Sequence, residues 1–92
     1  MPASMRINVV FHGRVQGVGF RMAAKSVAQG HGLVGWVRNE PDGTVRLVAE
    51  GDEARVNAFL EGIKSRMDDF ISSADVIRED DSGRYRAFEI RH

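Results

Sequence analysis

The sequence predicts an α+β fold, one antiparallel sheet carrying two helices on a single face. Three observations lead there. The chain has 92 residues, 42% of them apolar, enough for one modest core and too few residues for two domains. Its hydrophobic pattern switches between period two and period 3.6 in the order strand, helix, strand, strand, helix, strand. Glycine-rich or acidic turns separate the segments, with no internal repeat, low-complexity stretch or linker.

Met1–Ser4 reads as a loose start. Ile7, Val9 and Phe11 then alternate with Arg6, Asn8 and His12, so Met5–His12 is a strand with one apolar face. Gly13–Gly19 holds three glycines in seven residues and is a loop. From Phe20 to Gln29, Met22, Ala23, Ala24, Val27 and Ala28 give a helix with a small-residue packing face, and Gly30 and Gly32 stop it. Val34–Asn39 is a second strand. Glu40-Pro41-Asp42-Gly43 is a strong turn signal, and Thr44–Glu50 returns as a third strand with Val45, Leu47 and Ala49 on one face, closing a hairpin. Asp52 is placed to cap a second helix, in which Val56, Phe59, Leu60, Ile63 and Met67 recur at spacings of three and four. A polar connection leads to a short strand near Ala74–Arg78, a turn at Asp80–Gly83 and a last strand holding Tyr85, Phe88 and Ile90. The order β-α-β-β-α-β, with a minor extra strand near the end, is the ferredoxin-like plan. Residues 1–92 then form a single domain. This plan hosts many functions, so chemistry must be read from specific residues.

Thirteen Lys and Arg balance thirteen Asp and Glu, and there is no cysteine. The first count argues against a protein that grips nucleic acid by bulk charge. The second leaves no disulfide framework, Cys-based metal site or thiol nucleophile. No apolar run is long enough for a membrane span or a secretory segment, so the expected compartment is cytoplasmic. The balance is uneven along the chain. Met1–Asn39 contains Arg6, Arg14, Arg21, Lys25 and Arg38 and no acid, a charge of +5, while the rest of the chain carries −5. Such asymmetry directs attention to an anion partner in the basic part, against the plainer reading of solvated surface arginines.

The loop Gly13-Arg14-Val15-Gln16-Gly17-Val18-Gly19-Phe20-Arg21 joins a strand to a helix start. Glycines let its backbone curl so that several N–H groups face one point, and the helix N-terminus adds free donors and partial positive charge. The result is a cradle for a phosphate-sized anion. Arg21 falls in the first helical turn, where the macrodipole disfavours a cation. Its planar donors suit phosphate oxygens; the plain alternative is an arginine that points to solvent or pairs with a distant acid. No Gly-Lys-Ser/Thr follows, so the loop is not a Walker A motif. Gly30-His31-Gly32-Leu33-Val34-Gly35 matches GxGxxG literally, but it sits after a helix and before a strand, which makes it a helix C-cap and connection.

Gly13–Arg21 fits the pattern G-x-V-Q-G-V-x-F-R throughout. Gly35-Trp36-Val37-Arg38-Asn39, Gly43-Thr44-Val45 and Gly51 fit a second pattern at the matching separation, and Phe88 and Ile90 close the chain as a Phe-x-Ile pair. In these motifs, over nearly its whole length, the sequence resembles the acylphosphatase family. It departs over Asp68–Asp81, where Asp-Asp-Phe-Ile-Ser-Ser-Ala stands in place of a Gly/Pro-rich connection.

The resemblance implies a small, monomeric hydrolase that cleaves the carboxyl–phosphate anhydride of acylphosphates to a carboxylate and inorganic phosphate, with no metal or organic cofactor. It implies that Arg21 and the loop amides of Val15, Gln16, Gly17, Val18, Gly19 and Phe20 bind the phosphoryl group. Asn39 then holds the attacking water, and the substrate phosphate accepts its proton. The partners implied are the acylphosphate and inorganic phosphate alone, with neither nucleic acid nor membrane. From composition alone Asn39 reads equally as a turn cap, and Gln16 as a support for the loop. His12, His31 and His92 lie outside both motifs and lack metal-ligand spacing. His12, just before the loop, is a candidate for a supporting role, Trp36 for shielding the site or packing on the sheet. Two other classes share the plan. A non-catalytic phosphate-binding module would bind without turnover. An RNA-binding sheet would display stacking aromatics where this chain has Val9, Phe11, Val45 and Leu47.

Overall fold

The computed structural model describes residues 3–92. The elements are β1 (Ser4–Gly13), α1 (Phe20–Gly30), β2 (Val34–Asn39), β3 (Val45–Asp52), α2 (Glu53–Arg66), β4 (Ile71–Glu79) and β5 (Phe88–Arg91). They build one sheet in the order β4-β1-β3-β2-β5. The expected ferredoxin-like α+β plan is present, with both helices on one face. Among the described residues no helix is long and apolar enough to cross a membrane.

The core lies between that face and the helices, where strand alternation predicts it. Ile7, Val9 and Phe11 of β1, Val37 of β2, and Val45, Leu47 and Ala49 of β3 are fully buried. They meet Ala23, Ala24 and Ala28 of α1 and Val56, Phe59, Leu60 and Ile63 of α2. Small alanines let α1 lie close to the sheet, while α2 supplies the larger side chains. The start of α2 is capped as expected: Asp52 Oδ1 accepts the Arg55 N–H at 2.9 Å.

Gly35 marks the tightest approach in the sheet. Its φ is 141°, and a Cβ there would collide with the Val48 carbonyl. Gly35→Ala therefore combines a strained φ with overpacking, and urea unfolding should register a loss of about 2–3 kcal/mol.

Several boundaries differ from expectation. The loose start narrows, because Ser4 already belongs to β1 and the Ala3 carbonyl accepts the Glu53 N–H at 2.8 Å. Met1 and Pro2 lie outside the described residues. The strand foreseen near Ala74–Arg78 runs from Ile71 to Glu79, because β1 offers a ten-residue edge to pair with. Its pairing shifts register between His12 and Gly13. Thr44 precedes β3, and β3 continues to Asp52.

The sheet is mixed, and not purely antiparallel, because β5 runs parallel to β2. The connection out of β4 crosses the face opposite the helices to reach that edge. On the way the Ser82 N–H and hydroxyl donate to Glu50 Oε2 at 2.9 and 2.8 Å. Tyr85 lies in this crossing and not in the last strand, and its hydroxyl accepts the Trp36 indole N–H at 3.2 Å. The crossing explains why Trp36 and Val48 are buried although they point away from the main core.

Candidate active site

Sheet register brings the two motifs together. Val45 of β3 pairs with Phe11 of β1 on one side and Asn39 of β2 on the other. β1 and β2 both run antiparallel to β3, so they end at the same edge of the sheet. The loop leaving β1 and Asn39 at the end of β2 are thereby neighbours, though far apart in sequence. A cavity of about 90 Å³ opens there, lined by Val15, Gly17, Gly19, Phe20, Arg21, Met22 and Asn39. That is room enough for a small anion.

The loop is pinned by its side chains and open through its backbone. Val15 and Phe20 are buried, Val18 packs on the core, and the Phe20 ring meets Phe11 with centroids 4.9 Å apart. Gly17 and Gly19 adopt φ of 76° and 78°, the left-handed turns that curl the backbone between these anchors. Gly19 is the N-cap of α1 and brings no side-chain cap. Among the described residues, no N–H from Val15 to Phe20 donates to another backbone or side-chain group. A run of free donors at a helix N-terminus is what a phosphate would satisfy.

Gln16 is tied elsewhere by its side chain. Its Nε2 donates to the carbonyls of Glu40 and Thr44 at 2.7 and 2.9 Å, clamping the loop to the β2–β3 turn. Its backbone N–H has no partner among the described residues. Arg21 is half-buried on the first turn of α1, which carries no acid in that turn. Among the described residues it forms no salt bridge to an acid, and its Nη1 lies 3.2 Å from His92 Nδ1. An arginine only donates, so the imidazole nitrogen is the acceptor.

Asn39 was readable from composition as a turn cap, but Asp42 holds that position. Asp42 Oδ1 accepts from the Thr44 N–H at 3.0 Å and from the Thr44 hydroxyl at 2.6 Å. The Asn39 amide is left on the cavity wall. The Thr44 hydroxyl, and then its N–H, hold the Asp42 carboxyl below its ordinary range. A depressed folded pKa contributes stability at pH above the unfolded value, lost as pH falls through the folded one. The stability difference between wild type and Asp42→Ala should therefore shrink in acid, measured by urea unfolding across a pH series.

His12 turns away from the cavity. Its Nε2 lies 2.8 Å from Asp75 Oδ2 on β4, a surface contact between strands. His31 caps the end of α1, and the Leu33 N–H bonds the Ala28 carbonyl at 2.9 Å, so the GxGxxG string is a helix terminus and connection. Trp36 lies on the opposite face of the sheet, with the guanidinium groups of Arg38 and Arg91 at 4.9 and 5.1 Å from its ring centroid. It does not shield the cavity. His92 is the residue that sequence reasoning missed. β5 pairs with β2 through Val37–Ile90 and Arg38–Arg91, so the next step sets His92 beside Asn39. The alternation of Phe88 and Ile90 continued by one more step was the signal for its facing.

A family model described as Acylphosphatase matches residues 7–90. An acylphosphatase from Acaryochloris marina is 42% identical over 90 residues, 98% of this chain and 97% of that one. Another from Picrophilus torridus is 41% identical over 83 residues, covering 90% and 98%. Among solved structures, acylphosphatase from Bacillus subtilis superimposes with a TM-score of 0.87 at 30% identity, over 96% of this chain and 99% of that one. The matched span holds both the loop and Asn39, and the chain belongs to the acylphosphatase family, hydrolases of the acylphosphate anhydride.

Proposed function

We propose that hydrolysis proceeds by in-line attack of water on phosphorus, with the phosphoryl group in the loop cradle and the water on Asn39. The observation that carries this reading is a small cavity lined jointly by the loop, Arg21 and Asn39. The Val15–Phe20 amides and the Arg21 guanidinium spread over the equatorial phosphoryl oxygens, where charge must be stabilised. The Asn39 side chain offers a carbonyl acceptor and an amide donor, enough to orient one water. The new bond joins water oxygen to phosphorus. The bond from phosphorus to the acyl oxygen breaks, the carboxylate leaves with the electron pair, and a phosphoryl oxygen takes the water proton. The acyl half leaves as a weakly basic carboxylate, so positioning suffices without a strong general base.

Turnover of benzoyl phosphate in ¹⁸O-labelled water tests the direction of attack. The label should appear in phosphate; label in benzoate would mean attack at the carbonyl carbon and would overturn the water placement. We further propose that residues 1–92 act as one domain, as a cytoplasmic monomer without metal or organic cofactor. Its partners are then the acylphosphate and inorganic phosphate, with neither nucleic acid nor membrane. Activity should survive exhaustive dialysis against chelator, and the elution volume should match one 10.2 kDa chain.

A further inference from the structure

A second concavity adjoins the cradle. It is open, about 500 Å³ in volume, and lined by Arg38, Asn39, Glu40, Pro41 and His92. The two hollows share Asn39. The acyl half of a substrate seated in the 90 Å³ cradle has a path past Asn39, the residue common to both hollows.

The polar groups of this second hollow define what it can recognise. The Arg38 guanidinium is held in place by two bonds to Glu40 Oε1, from Nε at 3.2 Å and Nη2 at 2.9 Å, and by the Trp36 ring at 4.9 Å. Those bonds leave Nη1 for a ligand. Glu40 is engaged from two sides, since Arg46 Nε also lies 3.5 Å from the same oxygen. His92 Nδ1 accepts from Arg21, which leaves Nε2 as the ring's donor. The hollow therefore holds two donors, one of them cationic, and a carboxylate that is already paired.

We propose that this hollow is the acyl subsite and that it selects acylphosphates whose acyl group carries an acceptor oxygen, a distal carboxylate above all, bound by Arg38 and His92. Arg38 is then a specificity residue and takes no part in the chemistry. The inference rests on the cradle reading of the proposed function, because the cradle sets where the acyl group emerges.

The test compares benzoyl phosphate with its 3- and 4-carboxy derivatives, which differ only in the distal charge. At least one carboxy derivative should show kcat/KM about tenfold above the parent, the scale of one partly solvated charge-assisted hydrogen bond. Arg38→Gln should erase that gain, bringing kcat/KM for the carboxy derivatives to or below that of the parent compound measured in the same variant. Pro41→Asp, on the exposed turn, adds a negative charge at the rim and should also reduce the gain. Equal rates for parent and derivatives, or a preference that survives both substitutions, would overturn the subsite. Failure of inorganic phosphate to inhibit the wild-type protein would instead strike the cradle reading, so the two failures are distinguishable.

Discussion

Arg21→Ala is expected to lower kcat/KM for benzoyl phosphate by about 10²–10³ and to weaken inhibition by inorganic phosphate in parallel. Both follow from one geometry. The guanidinium shares a small cavity with the loop amides and carries the one full positive charge among the cavity-lining residues. Removing it subtracts a charge-assisted, two-pronged contact from ground state and transition state alike. The transition state loses more, because negative charge on the equatorial oxygens is best stabilised by fixed donors. Arg21→Lys should recover only part of the loss, since an ammonium lacks the planar fork. The fold should be little affected, because Arg21 is half-buried and outside the apolar core. Far-ultraviolet circular dichroism and urea midpoints close to wild type would separate a chemical defect from unfolding.

Asn39→Ala should separate the two halves of the site. Its side chain forms no bond that the fold needs, since Asp42 caps the turn and Gln16 clamps the loop to it. Turnover should fall by about 10²-fold, the scale of losing a positioned reactant, with phosphate inhibition within about twofold of wild type. Near-normal turnover would remove Asn39 from the water site. Asn39→Asp adds a carboxylate beside the bound anion, so it should weaken phosphate inhibition as well. Alanine and aspartate thus report different defects at one position.

Much of the fold was legible because its signals are local. β1, β2 and the Glu40–Gly43 turn carry alternation or turn chemistry within a few residues, and α2 carries both a cap and a clear apolar spacing. β4 and β5 were harder because they are edge strands. In β4 the inward positions Ile71, Ala74 and Val76 are only partly buried, and polar residues between them blur the pattern. The parallel direction of β5 depends on a chain crossing the far face of the sheet, which no short window records.

The candidate site was legible in its parts and not in its assembly. The glycines and Arg21 point to the proposed phosphate cradle by type and spacing, and the motif points to Asn39. That Asn39 stands beside the loop follows from Val45 pairing with both Phe11 and Asn39, a long-range property. Without it, turn-capping was the natural reading of Asn39, and Asp42 turned out to hold that place. The meeting of His92 with Arg21 was hidden for the same reason, since only the parallel pairing of β5 brings the two together. The acid-free stretch from Met1 to Asn39 has a physical meaning in this light. It runs from β1 through the cradle to Asn39, keeping carboxylates of that stretch away from Arg21, while Glu40 just beyond it is neutralised by Arg38.

The central claim is that phosphate sits on the Val15–Arg21 backbone, facing Asn39. Titrating inorganic phosphate into ¹⁵N-labelled protein measures this directly. The account predicts saturable shifts confined to the amides of Val15 through Arg21 and to the Asn39 side-chain amide, saturating together and abolished in Arg21→Ala. Shifts that saturate elsewhere on the surface, or an Asn39 side chain that does not respond while the loop does, would contradict it.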